Sequence, residues 1–417
     1  VTTPFARPAR KNPVLATRMP TLPPGGRSRT ALGLTAAAAE GRFALQACAD
    51  CGAIQYPPRE ACHRCLSMRL RWRTQDGAGL LLAQTRLHHS NDLFFRERLP
   101  WRLGLVKLDA GPTVVAHLHG DVDAGASGTA RVRIGAMLDR AGQAVLVALP
   151  DKETPNMSDD RQLREMTCDP KFRKVLVTDA KTAVGQAVVR ALVAAGADVV
   201  WAGHAEPWKR LPGFETLEAL PQVTPVPLDL TDSRSVVELA GEIGGRVDIV
   251  VNTAEHHRAT GIGQRVGIET ARNEMDINYF GLLRLAQAFG PALRARAADG
   301  PTGACAWVNL LSIFALANFP AHGTFSASKA AALSLAQCLR AEMRPAGVRV
   351  VNLFPGPIDD EWAQLLPPPK VAPEALARAI VKALQDGVED VYPGDVAQEW
   401  LERWRDNPKA LEREIAG

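Results

Sequence analysis

Four cysteines carry the clearest chemistry in this chain. Cys48-Ala-Asp-Cys51 and Cys62-His-Arg-Cys65 form a C-x2-C-x10-C-x2-C pattern. Each pair can make a tight knuckle, and the two knuckles together close a tetrahedron of thiolates around one Zn2+. Gly52, directly after Cys51, suits the turn such a knuckle requires. Four sulfurs fill the shell, so His63 is a bystander and the ion is structural, with no position left for a catalytic water. Four of the seven cysteines sit in these pairs, which points to metal ligation in place of disulfides and to a reducing compartment, the cytoplasm. His88, His89, His117 and His119 are further candidates. Strand alternation puts His117 and His119 on one face, but without a carboxylate or third ligand they read as packing or surface residues.

A second group lies in Ser312–Lys329, SIFALANFPAHGTFSASK. Phe325 and Lys329 are four apart, so on a helix they share one face and present their side chains to one point. A serine and a lysine can orient and polarise a substrate oxygen, but the phenylalanine between them can transfer no proton.

These residues need elements to hold them, and 417 residues exceed one ordinary domain, so two or three are expected at ~100–200 residues each. Residues 1–39 are broken by prolines and carry Arg7, Arg10, Lys11, Arg18, Arg27 and Arg29, which predicts an extended N-terminal arm without a signal peptide. The cysteine module occupies 40–75. Over 76–150, five short β-rich runs separated by Asp-Ala-Gly turn formers predict a small barrel. A polar, proline-containing linker is expected at 151–172. From 173 to 393, strands such as KVLVTDA, DIVVNTAE and GVRVVNLFPGP alternate with amphipathic helices, which predicts a doubly wound parallel sheet. A C-terminal amphipathic helix over 394–417 places Trp400 and Trp404 on one face, to pack on its own domain. The fold class is therefore multidomain: zinc ribbon and small β-barrel, then an α/β Rossmann-type sheet. No run reaches the ~18–20 apolar residues of a membrane span, which predicts a soluble protein. A net charge of +4 without an aromatic-basic stripe argues against nucleic acid.

QACADCGAIQYPPREACHRC followed by the barrel segment ERLPWRLGLVKLD resembles the DUF35 family over about residues 40–150. The resemblance implies a rubredoxin-like zinc ribbon plus OB-fold, associated with acyl-CoA metabolism and partnered by thiolase-like or aldolase enzymes. From about Lys174 to Tyr392 the chain resembles the short-chain dehydrogenases/reductases. That resemblance aligns Asn278, Ser312, Phe325 and Lys329 with the family's catalytic tetrad, Phe325 standing where the proton-donating tyrosine belongs. Asn278 would help hold the lysine-bound proton relay through its backbone carbonyl.

The cofactor positions are altered too. The family's Thr-Gly-x-x-x-Gly-x-Gly reads Thr178-Asp179-Ala180-Lys181-Thr182-Ala183-Val184-Gly185, keeping only the last glycine. At the acid that would take the ribose hydroxyls of NAD stand Gly203 and His204, with no arginine for the phosphate of NADP. Asp229 matches the residue that meets adenine. Asn252-Thr253-Ala254-Glu255 replaces Asn-Asn-Ala-Gly, and Asp360 takes the place of a cofactor-binding threonine. Thr178, Gly185, Asp229 and Asn252 are thus vestigial cofactor contacts. Asp179 and Asp360 set negative charge against phosphates, which weakens the expectation of bound NAD(P).

Two readings follow from the resemblance. One is an accessory subunit of a thiolase-like or aldolase acyl-CoA complex, its dehydrogenase-like domain serving as a homodimeric scaffold through the helices around 280–297 and 326–343. The other is an NAD(P)-dependent 3-hydroxyacyl-CoA dehydrogenase, active alone or through an intact sister subunit.

Overall fold

Alternating and continuous apolar runs sort this chain into the two kinds of layer expected of them. A computed structural model describes residues 20–125, 128–152, 157–206, 212–264, 266–300, 303–361, 363–364 and 366–416. Arg7, Arg10, Lys11 and Arg18 of the expected arm lie outside the described residues. The chain divides into two units, Thr21–Asp169 with Gln385–Val388, and Pro170–Leu384 with Glu389–Gly417.

In the first unit, β1 (Ala44–Cys48) pairs antiparallel with β2 (Ile54–Gln55) and β3 (Leu70–Thr74) to make the ribbon. The barrel closes in the order β4 (Ala78–Leu87), β5 (Trp101–Leu108), β6 (Thr113–Leu118), β8 (Ala144–Pro150), β7 (Ala130–Leu138). Among the described residues of the barrel only β6 and β8 pair in parallel, as in the strand order of a five-stranded OB-fold. Alternation along β6 sends Val114, Ala116 and Leu118 inward to a core shared with Leu81, Val106, Ile134 and Leu146.

Two expected boundaries move. The arm is not extended throughout: Leu32–Ala39 form α1, whose Leu34 and Ala38 join the barrel core. Gly33 is required there, because a Cβ would overlap the Trp72 indole. Nor is 151–172 a plain linker. After α2 (Leu93–Arg96), the segment containing α3 (Arg161–Arg164) folds onto the outer barrel wall. Leu163 and Met166 bury there with Phe94, Trp101 and Val147. Gln162 brackets Arg102, accepting from its amide at 2.7 Å and donating to its carbonyl at 3.0 Å. Polar composition concealed this because the two apolar anchors are widely spaced among charged neighbours.

In the second unit seven strands, β9 (Lys174–Val177), β10 (Val199–His204), β11 (Val223–Pro227), β12 (Ile249–Asn252), β13 (Ala306–Leu310), β14 (Arg349–Leu353) and β15 (Asp390–Val391), form one parallel sheet. Its order is β11-β10-β9-β12-β13-β14-β15, so the chain reverses direction at β9/β12 and opens a crevice at the strands' carboxyl ends. The helices are α4 (Ala183–Ala194), α5 (Phe214–Glu218), α6 (Ser233–Ile243), α7 (Glu269–Met275), α8 (Leu282–Arg296), α9 (Gly323–Met343) and α10 (Pro373–Asp386). Leu285, Phe289 and Leu293 of α8 and Leu339 and Met343 of α9 meet Trp307 and Val350 of the sheet in the main core. The expected single C-terminal helix is two, α11 (Asp395–Asp406) and α12 (Pro408–Ile415). Asn407 ends the first and caps the second, accepting from the amides of Lys409 and Ala410. Trp400, Ala397 and Leu401 of α11 pack on their own unit, as the apolar face predicts.

Candidate functional site

The ribbon gathers the cysteines as their spacing requires. All four sulfurs lie within 4.8 Å of one another, with Cys48 to Cys65 and Cys51 to Cys62 each at 3.6 Å. The knuckles are equivalent: Gly52 N–H donates to the Cys48 carbonyl and Leu66 N–H to the Cys62 carbonyl, each at 3.0 Å. Gly52 and Leu66 both have positive φ, +70° and +61°, so Leu66 accepts a conformation normally left to glycine. The Cys51 backbone amide holds the Cys48 thiol down to about 7, which favours the thiolate a metal needs. His63 turns its Nδ1 to Gln55 Oε1 at 3.2 Å and is no ligand. This donor set fits one structural Zn2+ with its shell closed.

The sheet crevice is built from strand ends. Thr178 Oγ1 donates to Asn252 Oδ1 at 2.9 Å and accepts from the amides of Thr253 and Ala254. These two residues therefore tie β9 to β12. The loop after Thr178 is drawn onto its neighbours: Asp179 N–H bonds Thr253 Oγ1 at 3.3 Å and Ala180 N–H bonds the Gly203 carbonyl at 2.8 Å. Thr182 caps α4 by accepting from Gly185 N–H at 3.1 Å. Three amides near the position of a pyrophosphate are thus already committed. Gly185 is kept for packing, since a Cβ there would overlap the Asp179 carbonyl. Asp229 closes its own turn, accepting from the Thr231 amide at 2.8 Å and hydroxyl at 2.7 Å.

The remaining crevice has about 480 Å³ and is lined by Asp179, Glu206, Asp360, Glu361 and Glu374 against Lys181, Arg190 and His204. Lys181 Nζ donates to the Glu206 carbonyl at 2.7 Å. Burial, followed by the nearby Lys181 charge, pushes His204 down, so it adds no cation at neutral pH. Arg190 reaches this lining from α4, a placement that motif reading along the strands does not reveal.

The four tetrad positions converge but make other bonds. Asn278, in the wide π-turn Asp276–Gly281, donates to the His256 carbonyl at 2.9 Å and to Ser328 Oγ at 2.8 Å, and accepts from His256 N–H at 2.9 Å. Ser312 Oγ accepts from Phe314 N–H at 3.2 Å. Lys329 Nζ pairs with Glu255 Oε2 at 2.7 Å and donates to the Leu310 carbonyl at 3.0 Å. Phe325 lies flat on His257, ring centroids 3.7 Å apart at 17°. His257 Nε2 is in turn hydrogen-bonded to His322 Nδ1, and its Nδ1 faces Glu255 Oε1 at 3.7 Å. Burial pushes both imidazoles down, with the His322 and Lys329 charges adding to the effect at His257.

Glu255, His257 and His322 therefore occupy the centre that sequence comparison assigned to serine, tyrosine and lysine alone. A carboxylate at the family's glycine position was the available signal for Glu255. The histidines gave none: His257 reaches Phe325 only through the folded loop, and nothing in the sequence shows that His322, three residues before Phe325, meets His257. Phe314 and Phe319 meet the His322 ring at tilted angles, centroids 5.8 and 5.2 Å away, and Trp400 packs on both phenyl rings. Between Ser312, Phe325, Ile358 and Asp360 a space of only about 20 Å³ is left.

Comparison with known proteins agrees with this architecture. Residues 35–71 match the ChsH2 rubredoxin-like zinc ribbon domain, residues 72–141 the ChsH2 C-terminal OB-fold domain, and residues 173–368 the short chain dehydrogenase family. The human dehydrogenase/reductase SDR family member 7C is 33% identical over 194 residues, 43% of this chain and 59% of that protein. A 1-deoxy-11-beta-hydroxypentalenate dehydrogenase of Streptomyces exfoliatus is 32% identical over 206 residues, 48% of this chain and 72% of that protein. A short chain dehydrogenase from Burkholderia cenocepacia J2315, solved in complex with NADP, superposes with a TM-score of 0.54 at 34% identity, covering 60% of this chain and 99% of that one. The chain belongs to the short-chain dehydrogenases and carries, ahead of that domain, a zinc ribbon and OB-fold of the ChsH2 type.

Proposed function

We propose that this chain is an accessory subunit of a thiolase-like or aldolase complex acting on acyl-CoA thioesters. Its dehydrogenase unit serves as a dimerising scaffold, and its ribbon and OB-fold dock on the partner enzyme. The observation that carries the reading is the replaced catalytic centre. Lys329, which in an active site must be free for cofactor and tyrosine, is held by Glu255 at 2.7 Å, and the proton donor's place is filled by a phenyl ring stacked on His257. A space of about 20 Å³ holds little more than one water, far below the ~300–1,000 Å³ of small-molecule sites.

The cofactor crevice supports the same reading. Five carboxylates oppose two permanent cations along its lining, and desolvated like charges raise the cost of binding a polyanion. On the outer face of α9, Ala327, Ser334 and Ala341 are exposed and small, which suits close approach of a second copy's helix.

One feature favours a dehydrogenase: the crevice of about 480 Å³ is still open, at the place where related folds hold dinucleotides. Calorimetric titration of NADH and NADPH separates the readings. The scaffold reading expects weak or no heat, and micromolar binding of either cofactor favours the enzyme. Co-purification with a thiolase or aldolase from the same genome, lost on deleting residues 20–150, tests the docking role.

A further inference from the structure

The outer wall of the barrel holds a cavity that neither the zinc site nor the sheet crevice uses. It measures about 170 Å³ and lies between α2, the turn after α3, and strands β5, β6 and β8. Phe94, Phe95, Trp101, Val145 and Met166 make most of its lining apolar. Phe94 and Phe95 both meet Trp101 edge to face, at 6.1 and 5.3 Å, so the walls are set by ring packing. An apolar cavity of about 150 Å³ accepts benzene. This one therefore accommodates a six-membered ring with a small substituent.

Its polar groups are few and defined. Trp101 Nε1–H donates to His117 Nδ1 at 2.7 Å. An indole nitrogen can only donate, so Nδ1 carries no proton and the neutral ring is protonated at Nε2. Burial, reinforced by the Arg27 charge, pushes His117 down to about 4 and keeps the ring in that form. His117 thus lines the cavity as a neutral imidazole whose donor is Nε2–H. Arg27, exposed at the rim, donates to the carbonyls of Pro24 and Gly26 at 3.2 and 3.0 Å, partners that leave its charge in place. Of the lining carboxylates, Glu165 pairs with Arg98 at 3.1 Å, and Asp139 accepts through Oδ1 from the amides of Ala141 and Gln143 at 2.9 Å each.

We propose that this cavity binds a small ring-bearing carboxylate, its ring against Trp101 and Phe95 and its carboxylate accepting from His117 Nε2–H beside the Arg27 guanidinium. A ring satisfies the apolar walls, and an anion satisfies the His117 donor and the Arg27 charge at the rim; Arg140 also lines the cavity. The proposal does not depend on the dehydrogenase unit being inactive.

The test titrates the full zinc-loaded chain with benzoate and with benzamide, followed by calorimetry and by saturation-transfer NMR of the ligand protons. Saturable one-to-one binding of benzoate is expected. Val145→Phe, which fills the cavity, should abolish it. Arg27→Gln, a surface change that leaves the fold intact, should weaken benzoate about tenfold, the loss of one charge-assisted contact, and leave benzamide unchanged. Absence of saturable binding to the parent protein overturns the proposal, as does benzoate binding that Arg27→Gln leaves unchanged.

Discussion

Substitution of Glu255 by glutamine tests whether Lys329 has become a structural cation. The two side chains are 11% and 2% exposed and meet at 2.7 Å; the second partner of the ammonium is the neutral Leu310 carbonyl at 3.0 Å. Removing one member of a buried pair leaves the other charge uncompensated, at a cost of about 3–5 kcal/mol. Glutamine keeps the shape and one acceptor, so the lower end, about 3 kcal/mol, is expected. For a unit of this size that lowers the midpoint of its thermal transition by roughly 6–12 °C. A double cycle with Lys329→Met should recover most of the loss. Thermal unfolding of the single and double variants at pH 7 reads both effects. A shift of less than about 1 kcal/mol for Glu255→Gln at pH 7 would refute the reasoning, because Lys329 would then not rely on Glu255.

Three further outcomes follow from the same structure. Elemental analysis should find one zinc per chain, and Cys51→Ala or Cys62→Ala should lose both the ion and the ribbon, since closed sites of this kind supply folding free energy; a metal-loaded Cys62→Ala protein of parental stability would refute the assignment. His257 and His322 have pKa values below the unfolded 6.5 because burial disfavours their charged forms. The unfolded chain then binds more protons below pH 6.5, and the stability present above that pH should fall as pH decreases, by up to about 1.4 kcal/mol per pH unit for each histidine; His257→Phe should flatten the slope measured by denaturant titration. Phe325→Tyr should not restore the roughly 10²–10⁴-fold contribution of a general acid, because Glu255 still holds Lys329; turnover should require Glu255→Gly, Asp179→Gly, Ala183→Gly and Asp360→Thr as well, and turnover by Phe325→Tyr alone would contradict this.

The parts of the fold legible in the sequence are those with local signatures. The cysteine spacing sets the ribbon directly, the five β-rich runs became β4 to β8, and the strand-helix alternation became one parallel sheet. Less legible were segments whose burial rests on a few scattered apolar residues, such as α1 and the Leu163–Met166 turn. The candidate site divides along the same line. Ser312, Phe325 and Lys329 lie on neighbouring elements and could be placed together from spacing. Glu255 and His257 come from the loop after β12, and their pairing with Lys329 and Phe325 spans about seventy residues of chain. A substituted glycine in that loop marked the place without showing that its carboxylate would turn inward and hold the lysine.

The scaffold reading is tested most directly by steady-state turnover. The zinc-loaded parent protein, alone, is mixed with a 3-oxoacyl-CoA and NADPH or NADH, and the reverse reaction is followed with a 3-hydroxyacyl-CoA, reading absorbance at the nicotinamide band. The account predicts no turnover above the protein-free rate in either direction. Sustained turnover that is saturable in both cofactor and thioester would contradict it.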